Sequence, residues 1–461
     1  MSTPIEQLSS LFPAERIKTD AESLQYYGKD WTTYFDVKAL AIVFPISTED
    51  VQSLVKWARA NKIALVPSGG RTGLSGAAVA TNGEVVVSFE KMNQILEFDP
   101  IDSTVRLEPG VIVEDLQHYA LEKGRYYPVD FAARGSAHIG GTIATNAGGI
   151  KVVRYGVTRE WVTSLKVVTG TGDVLELNQS LVKNNTGFDL RHLFIGSEGT
   201  LGFIVEATMK LAPPPPELRV LLLAIRDLDA VMKVFSEFRQ SCVLSAFEMF
   251  SDKALAKVME GTGLGQPLPS QSPFYVVCEV EAPTEDSETK ALGAFERCMN
   301  EGWVTDGAMA SSIEQAKTFW RYREDISESL AKYSPYKNDI AVRISKVPGF
   351  LTALEGLLAK AYPTWEVIWF GHIGDGNLHV NILRPAGMSK EEFVKECRKV
   401  DALVFESIQQ AHGSISAEHG VGLTKKPFLQ FTRSVGEIAM MRGMKQSFDP
   451  DSIMNPGKIF D

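Results

Sequence analysis

Three glycine-rich segments in the N-terminal half constrain the fold of this chain more than any other feature of its sequence. They are PSGGRTGLSG (67–76), GGTIATNAGG (140–149) and GSEGTLGFIVEA (196–207). A glycine loop after a strand lets several backbone N–H groups turn inward and wrap an anion such as phosphate. The second segment nearly lacks side chains, so a large flat group can press against its backbone. A plain surface loop would explain one such segment, but three in one domain are difficult to interpret as linkers.

These segments do not match the common nucleotide-binding motifs. No GxGxxG opens a helix and no GxxxxGK[ST] is present, so neither a Rossmann turn nor a P-loop is predicted. Around them, strand patterns alternate with helical ones, which indicates an α/β or α+β domain. One helix is predicted over 48–62 with Thr48 as its N-cap. The proline run from Pro213 to Pro216 cannot continue a sheet, and we expect the main domain boundary there.

Length and composition exclude several classes of protein. A chain of 461 residues exceeds one ordinary core, so two or three domains are expected. The net charge of −10 disfavours nucleic acid as a partner, and an anionic substrate would need a local cation. Four scattered cysteines without a CxxC pair suit a reducing cytosol. Because the sequence shows neither a signal-peptide pattern nor a long apolar run, we expect a cytoplasmic protein without a membrane span.

The stretch WFGHIGDGNLHVNI (369–382) predicts a β-hairpin that carries two histidines. Asp375–Gly376 is expected to form its two-residue turn. Counting outward from that turn pairs His372 with His379, and directly opposed residues have Cβ atoms about 5 Å apart. Two imidazoles at that separation can share one divalent ion. The alternative is a pair of ordinary surface histidines, although the chain has only seven histidines.

Further candidate ligands lie beside the hairpin histidines and in a second glycine-rich loop. Asn381 is two residues beyond His379 and is expected to face the same side. The loop SAEHGVG (416–422) supplies Glu418 and His419. Imidazole and carboxylate together suit Zn²⁺, Mn²⁺ or Fe²⁺, so the sequence predicts a metal or catalytic site.

A helix predicted over 318–333 offers the cation that an anionic substrate would need. Arg323 and Ser327 are four residues apart and would share one face of this helix. Lys337 follows shortly after the predicted helix. A guanidinium, a hydroxyl and an ammonium together can bind a carboxylate. The alternative is a surface helix with ion pairs, because acidic residues directly follow Arg323.

The first half of the chain resembles the FAD-binding domain of the vanillyl-alcohol oxidase family. The stretches that carry the resemblance are, in order, PSGGRTGLSG, then GGTIATNAGG with KVVRYG, then NNTGFDLRHLFIGSEGTLGFIVEATMKL. The second half resembles that family's FAD-linked oxidase C-terminal domain, so the resemblance covers nearly the whole chain. It implies an α+β fold with a FAD-binding domain of two α/β subdomains (1–213). A substrate-binding cap domain with an antiparallel sheet and the metal site (214–420) would follow. A C-terminal helical segment (421–461) would pack back on the FAD site.

The resemblance also implies which residues bind FAD. Ser68 to Thr72 would cradle the pyrophosphate, and Val205 would meet the adenine side through its backbone. Some relatives attach the flavin covalently through a histidine where this chain has Arg71, so non-covalent FAD is expected. The implied FAD-binding residues are Pro67, Ser68, Gly69, Gly70, Arg71, Thr72, Gly73, Ser75, Ser136, Gly140, Gly141, Asn146, Gly148, Gly149, Gly156, Val205 and Asn455.

In the second half, GHIGDGNLH followed by EHGVG resembles the D-2-hydroxyglutarate and D-lactate dehydrogenase branch of the family. This implies His372, His379 and Glu418 as ligands of a divalent metal, with zinc the first choice and manganese or iron open. His419 would contact the substrate and take its hydroxyl proton while hydride passes to the flavin. Asn381 would be a further polar contact with the substrate.

The same resemblance implies a choice of substrate. Arg323, Ser327 and Lys337 match positions that hold a distal carboxylate, which D-lactate lacks. We therefore expect oxidation of D-2-hydroxyglutarate to 2-oxoglutarate, with D-malate a further substrate and D-lactate or glycolate the alternatives. An electron-transfer flavoprotein or a similar carrier is the expected acceptor, and a homodimer the expected assembly. The rival classes are a metal-dependent hydrolase or lyase without flavin and a non-enzymatic electron-relay flavoprotein.

Overall fold

The computed structural model describes residues 3–32 and 34–461. The α-helices are α1 (Pro4–Leu11), α2 (Ala21–Tyr27), α3 (Thr48–Asn61), α4 (Val113–Glu122), α5 (Ile139–Thr145), α6 (Val152–Tyr155), α7 (Arg191–Phe194), α8 (Leu228–Ser241), α9 (Asp252–Thr262), α10 (Glu285–Asn300), α11 (Ile313–Glu324), α12 (Ile326–Ala331), α13 (Val347–Ala361), α14 (Lys390–Gln410) and α15 (Val435–Phe448). The β-strands are β1 (Ile17–Lys18), β2 (Ala41–Val43), β3 (Leu65–Ser68), β4 (Val85–Ser88), β5 (Ile95–Asp99), β6 (Thr104–Leu107), β7 (Val162–Thr169), β8 (Val174–Leu177), β9 (Gly202–Lys210), β10 (Leu218–Ile225), β11 (Val243–Ser251), β12 (Phe274–Glu281), β13 (Val304–Met309), β14 (Tyr336–Ala341), β15 (Val367–Gly371) and β16 (Asn377–Ile382).

The chain divides into two compact units, and both combine helices with sheets. Unit 1 contains the described residues within 1–148, 157–214 and 418–461, and unit 2 contains 149–156 and 215–417. The predicted α+β fold class is therefore confirmed. Within the described part of the chain, no helix is both long enough and apolar enough to cross a bilayer.

Unit 1 contains two sheets. In the first, with strand order β1-β2-β4-β3, the strands β2, β4 and β3 are parallel and β1 is antiparallel. Strand β4 is buried along its whole length, as its unbroken apolar run predicts for a parallel strand covered on both faces. The second sheet is antiparallel, with order β5-β6-β9-β7-β8. One core cluster joins side chains of α3, β2, β4 and β9.

The helix predicted over 48–62 is present as α3, but its predicted N-cap is wrong. Ser47 caps it, because its hydroxyl accepts a hydrogen bond from the Asp50 N–H while its own backbone is extended. Thr48 is instead the first helical residue. Both residues have hydroxyl side chains that can cap a helix, and the sequence pattern alone did not separate them.

Unit 2 is built on a seven-stranded antiparallel sheet with order β13-β10-β12-β11-β15-β16-β14. Helices α9, α11 and α12 cover one face, where Phe319, Tyr322 and Ile326 pack with Phe250 and Phe370. Along each strand every second side chain faces these helices, which fixes the residues that can meet on that face.

The helix predicted over 318–333 is wrong in one respect, because it divides at Asp325. Helix α11 ends at Glu324 and α12 begins at Ile326. Arg323 and Ser327 consequently lie on different helices, and they differ in environment: Arg323 is buried and Ser327 is exposed. The Asp325 carboxylate accepts a 3.0 Å hydrogen bond from Arg321 Nε at the junction. No proline or glycine marks this break in the sequence.

Candidate functional site

Unit 1 contains a partly open cavity, and each of the three glycine-rich segments contributes to its wall. Much of its lining is glycine backbone or apolar side chain. The residues lining it are Pro67, Ser68, Gly69, Ala77, Ala78, Phe89, Pro109, Gly140, Gly141, Ala144, Thr145, Ser197, Glu198, Gly199, Gly202, Phe203 and Ile204.

Two glycines of this region show why side chains are excluded there. A Cβ on Gly70 would lie 1.9 Å from the carbonyl oxygen of Ser136, so only glycine permits this backbone approach. A Cβ on Gly141 would meet no protein atom within 4 Å, although the residue lines the cavity. Gly70 thus shapes the first loop, whereas Gly141 leaves space that a ligand can fill.

Asn455 connects the C-terminal segment to two walls of the cavity. Its side-chain amide donates hydrogen bonds to the carbonyl oxygens of Ala77 (2.9 Å) and Glu198 (2.7 Å). It is completely buried, and its Oδ1 has no hydrogen-bond partner among the described residues. Asn455 therefore ties together the parts of the cavity wall that contain Ala77 and Glu198, and its Oδ1 can accept a hydrogen bond from a ligand.

Other predicted FAD-binding residues have different surroundings. Val205 points into the core of unit 1, and its neighbour Ile204 lines the cavity. Arg71 packs over the rings of Tyr26 and Tyr27. Asn146 caps α5 with a left-handed backbone and accepts a hydrogen bond from the Arg159 N–H. The remaining predicted positions outside the cavity lining are Thr72, Gly73, Ser75, Ser136 and Gly148 in unit 1, and Gly149 and Gly156 in unit 2.

His138 is a polar group at the first glycine loop that the sequence reasoning missed. It is buried beside Gly69, and its Nδ1 has no hydrogen-bond partner in the described part of the chain. Burial, together with the charge of Arg71, lowers the pKa of His138 to about 4. The ring is therefore neutral at physiological pH. Its place within GSAHIGG, directly before the second glycine segment, was the available signal.

Glu198 is a second missed residue. Its buried carboxylate accepts hydrogen bonds from the N–H groups of Val421 (2.7 Å) and Gly422 (2.8 Å). It thereby anchors the loop that directly follows Glu418 and His419. Burial raises the pKa of Glu198 to about 7, although the two backbone hydrogen bonds lower it.

We expect Glu198→Gln to flatten the pH dependence of stability. Between pH 4.5 and 7 the folded protein keeps a proton on Glu198 that the unfolded chain has released, so stability falls as the pH rises. The loss across this window is about 3 kcal/mol. The check is the difference in Tm between pH 5 and pH 8, which should be smaller in the variant. Equal differences in both proteins would contradict the assignment.

In unit 2 the histidine hairpin differs from the predicted one. Its connection is not the two-residue turn Asp375–Gly376, because β15 ends at Gly371 and β16 begins at Asn377. His379 therefore opposes Phe370 and not His372, so the predicted pairing is wrong. Even so, the rings of His372 and His379 are 5.3 Å apart and nearly perpendicular.

Strand register places several polar side chains on the helix-covered face of the sheet. Asp339 lies directly opposite His379, and Lys337 lies opposite Asn381. Directly opposed residues of an antiparallel pair share a face of the sheet. On the strand that flanks β16 on its other edge, β15, Phe370 lies opposite His379 and so shares this face. His379 Nδ1 is 3.8 Å from Asp339 Oδ1. Asp339 is therefore an additional candidate ligand. The sequence signal that could have identified it is the spacing of Lys337 and Asp339 two residues apart in YKNDIA, which places both on one face of a strand.

Glu248 joins the first histidine to the predicted substrate-binding arginine. One carboxylate oxygen is 2.8 Å from His372 Nδ1, and the other is 2.8 Å from Arg323 Nη2. Arg323 also lies over the Phe370 ring at 4.9 Å. All these side chains are buried. Despite the ion pair, Nε and Nη2 of Arg323 make no hydrogen bond of acceptable angle within the described residues.

Glu418 and His419 belong to unit 1, where His419 Nε2 is 3.6 Å from Glu418 Oε1. They follow Ala417 directly, and Ala417 is the last residue of unit 2. The Ala417 N–H donates a 3.1 Å hydrogen bond to Asp339 Oδ2.

The residues present fit the two groups that the sequence implies. For FAD, unit 1 offers a glycine-walled cavity with open space at Gly141. For a divalent metal, unit 2 offers imidazole and carboxylate donors, the set that zinc, manganese and iron accept. Because Glu248 engages Nδ1 of His372, the ring nitrogen that could ligate a metal is Nε2.

Two known families match the two parts of the chain. Residues 39–178 match the family described as FAD binding domain. Residues 214–459 match the family described as FAD linked oxidases, C-terminal domain.

Curated relatives match the whole chain. A D-2-hydroxyglutarate dehydrogenase of Stutzerimonas stutzeri (strain A1501) is 56% identical, covering 99% of this chain and 98% of its own. One from Xanthomonas citri pv. viticola is 53% identical, covering 99% of this chain and 97% of its own. A putative mitochondrial D-lactate dehydrogenase of Schizosaccharomyces pombe is 35% identical, covering 95% of this chain and 85% of its own.

Solved structures support the fold alone. p-Cresol methylhydroxylase with substrate bound has a TM-score of 0.78 at 16% identity, covering 99% of this chain and 96% of that one. An alkyldihydroxyacetonephosphate synthase has a TM-score of 0.75 at 17% identity, covering 99% and 85%. By its matched domains and its full-length relatives, this chain belongs to the FAD-linked oxidase family of oxidoreductases.

Proposed function

We propose that this enzyme oxidises D-2-hydroxyglutarate to 2-oxoglutarate with FAD and a divalent metal. The observation that carries the proposal is Arg323, whose buried guanidinium is ion-paired with Glu248 but makes no hydrogen bond through Nε or Nη2 within the described residues. It lies over the ring of Phe370, which contacts the His379 ring, and it shares Glu248 as a partner with His372. The high identity to two D-2-hydroxyglutarate dehydrogenases supports the same substrate.

The metal would be held by His372, His379 and Glu418, with Asp339 close to His379. A bound divalent ion supplies charge that makes the substrate's 2-hydroxyl more acidic. His419 accepts the hydroxyl proton, which leaves the electron pair on oxygen to form the carbonyl. Bound FAD supplies the acceptor for the hydride that leaves the α-carbon. We propose zinc as the resident ion.

The substrate's distal carboxylate would be bound by Arg323 and Lys337. Lys337 and Asn381 oppose each other on neighbouring strands, so both can contact one ligand on that face. Ser327 remains a proposed contact and is exposed on α12. A guanidinium recognises a carboxylate with two parallel hydrogen bonds, which a point charge does not reproduce.

The proposal extends to D-malate, which also has a distal carboxylate. D-Lactate and glycolate are the competing substrates, since one relative bears a D-lactate dehydrogenase name. We propose an electron-transfer flavoprotein or a similar carrier as the electron acceptor, non-covalent FAD, and a homodimer as the assembly. The non-enzymatic alternative is an electron-relay flavoprotein.

Anaerobic reduction of the bound flavin tests this function. Purified protein is mixed with D-2-hydroxyglutarate, D-malate, D-lactate or glycolate, with and without prior chelator treatment, and absorbance near 450 nm is followed. We expect rapid bleaching by the two dicarboxylates and loss of bleaching after metal removal. Bleaching by D-lactate or glycolate alone would assign the alternative substrate, and bleaching by none would contradict a dehydrogenase.

Arg323→Ala is expected to raise KM for D-2-hydroxyglutarate at least about tenfold more than KM for D-lactate. The reason is that loss of a charge-assisted hydrogen-bond pair costs on the order of 1.5–3 kcal/mol only when the partner carboxylate exists. Steady-state kinetics on both substrates provide the measurement. Equal changes in both KM values would remove Arg323 from substrate recognition.

A further inference from the structure

Glu248 is completely buried on the central strand β11, and its two carboxylate oxygens have different partners. Oε1 is 2.8 Å from Nδ1 of His372, and Oε2 is 2.8 Å from Nη2 of Arg323. A single rigid carboxylate therefore touches both the proposed metal ligand and the proposed substrate-binding cation.

The sheet fixes this arrangement. Phe250, two residues after Glu248, lies opposite Phe370, so Glu248 faces the same side as Phe370 and its cross-strand neighbour His379. The guanidinium of Arg323 covers Phe370 from helix α11. Glu248 consequently occupies a position from which one carboxylate reaches both groups on that face.

We infer that Glu248 is a positioning residue that couples metal binding to recognition of the substrate's second carboxylate, an inference that rests on the proposed function. Its Oε1 engages Nδ1 of His372, which would leave Nε2 of that ring to ligate the metal. Its Oε2 holds Arg323 by charge without a well-aligned hydrogen bond within the described residues, so that the guanidinium can still donate hydrogen bonds to a dicarboxylate.

Glu248→Gln tests the coupling with two independent readouts. The amide is nearly isosteric but lacks the charge that holds Arg323, and it binds His372 more weakly. We expect Zn²⁺ affinity of the chelator-stripped protein to fall about 10- to 100-fold, measured by competition with a chromophoric chelator. We also expect the ratio of KM for D-2-hydroxyglutarate to KM for D-lactate to rise at least about tenfold.

Single-function variants distinguish coupling from two separate effects. Arg323→Met is expected to change the KM ratio with little change in Zn²⁺ affinity. His372→Gln is expected to lower Zn²⁺ affinity with little change in the KM ratio when both KM values are measured at saturating Zn²⁺. Only Glu248→Gln should change both, and Glu248→Asp, which keeps the charge but is one methylene shorter, should change both less.

A matched control separates positioning from general destabilisation. Glu279 is also buried in unit 2 on a central strand, and it forms a buried ion pair with Lys151. Glu279→Gln should lower Tm to a comparable degree while leaving Zn²⁺ affinity and the KM ratio unchanged.

The outcomes are separable. Unchanged Zn²⁺ affinity or an unchanged KM ratio in Glu248→Gln would overturn the coupling, as would equal losses in Glu279→Gln. If the wild-type protein binds no Zn²⁺ or is not reduced by D-2-hydroxyglutarate, the proposed function fails and this inference fails with it. A wild-type protein that does both, with an unaffected Glu248→Gln variant, overturns the inference alone.

Discussion

Gly141→Leu is expected to yield a folded protein that has lost most of its FAD. Gly141 lies in α5 and lines the cavity of unit 1, and a Cβ there meets no protein atom within 4 Å. The Cβ of a leucine therefore meets no protein atom, and we expect its longer side chain to occupy space that the cofactor needs. We expect the ratio of FAD to protein after dialysis to fall at least about tenfold, measured from the absorbance at 450 nm and 280 nm.

Gly356→Leu is the matched control. Gly356 also lies in a helix, α13, where it is exposed, and a Cβ on it would likewise meet no protein atom within 4 Å. This variant should retain full FAD, and both variants should have near-native circular dichroism. Full flavin retention by Gly141→Leu would show that this cavity does not hold the cofactor. Unfolding of Gly141→Leu would be evident in the circular dichroism. In that case Gly141→Ala, which adds a single methyl group to the same space, would distinguish loss of FAD binding from loss of folding.

The sequence indicated the three segments that wall the cavity of unit 1, because a glycine-rich pattern is local. A segment such as GGTIATNAGG indicates by its glycines and small side chains that another group can approach its backbone, wherever the rest of the chain lies. Gly70 shows the limit of this reasoning: its glycine is required by the Ser136 carbonyl, a partner that no local pattern reveals. The same glycine signal thus has two physical causes, ligand approach and backbone approach.

The site of unit 2 was less predictable because its contacts are distant in sequence. Counting from an assumed two-residue turn placed His379 opposite His372, whereas it lies opposite Phe370, two residues earlier. The reason is that the connection between Gly371 and Asn377 is longer than two residues. Glu248 is 124 residues from His372, and it lies in a mostly apolar strand. A buried carboxylate in such a strand is costly unless it is paired, which is the signal that could have marked it.

The second large effect is expected for His419→Gln, which should lower the rate of flavin reduction by D-2-hydroxyglutarate about 10²- to 10⁴-fold. Glutamine keeps hydrogen-bonding capacity and similar size but cannot accept the hydroxyl proton at neutral pH. Hydride cannot leave the α-carbon as a carbonyl forms unless that proton is removed. The measurement is the limiting reduction rate in anaerobic stopped-flow experiments.

His192→Gln provides the control for this change. His192 is also in unit 1 and also lies near a carboxylate, with Nε2 at 3.5 Å from Asp189 Oδ2, as His419 Nε2 lies 3.6 Å from Glu418 Oε1. In the His192→Gln variant, D-2-hydroxyglutarate should reduce the flavin at the wild-type rate. In His419→Gln, substrate affinity and FAD content should change far less than the reduction rate, because the base acts on the transition state. A loss confined to KM would make His419 a binding residue and leave the proton acceptor to another group.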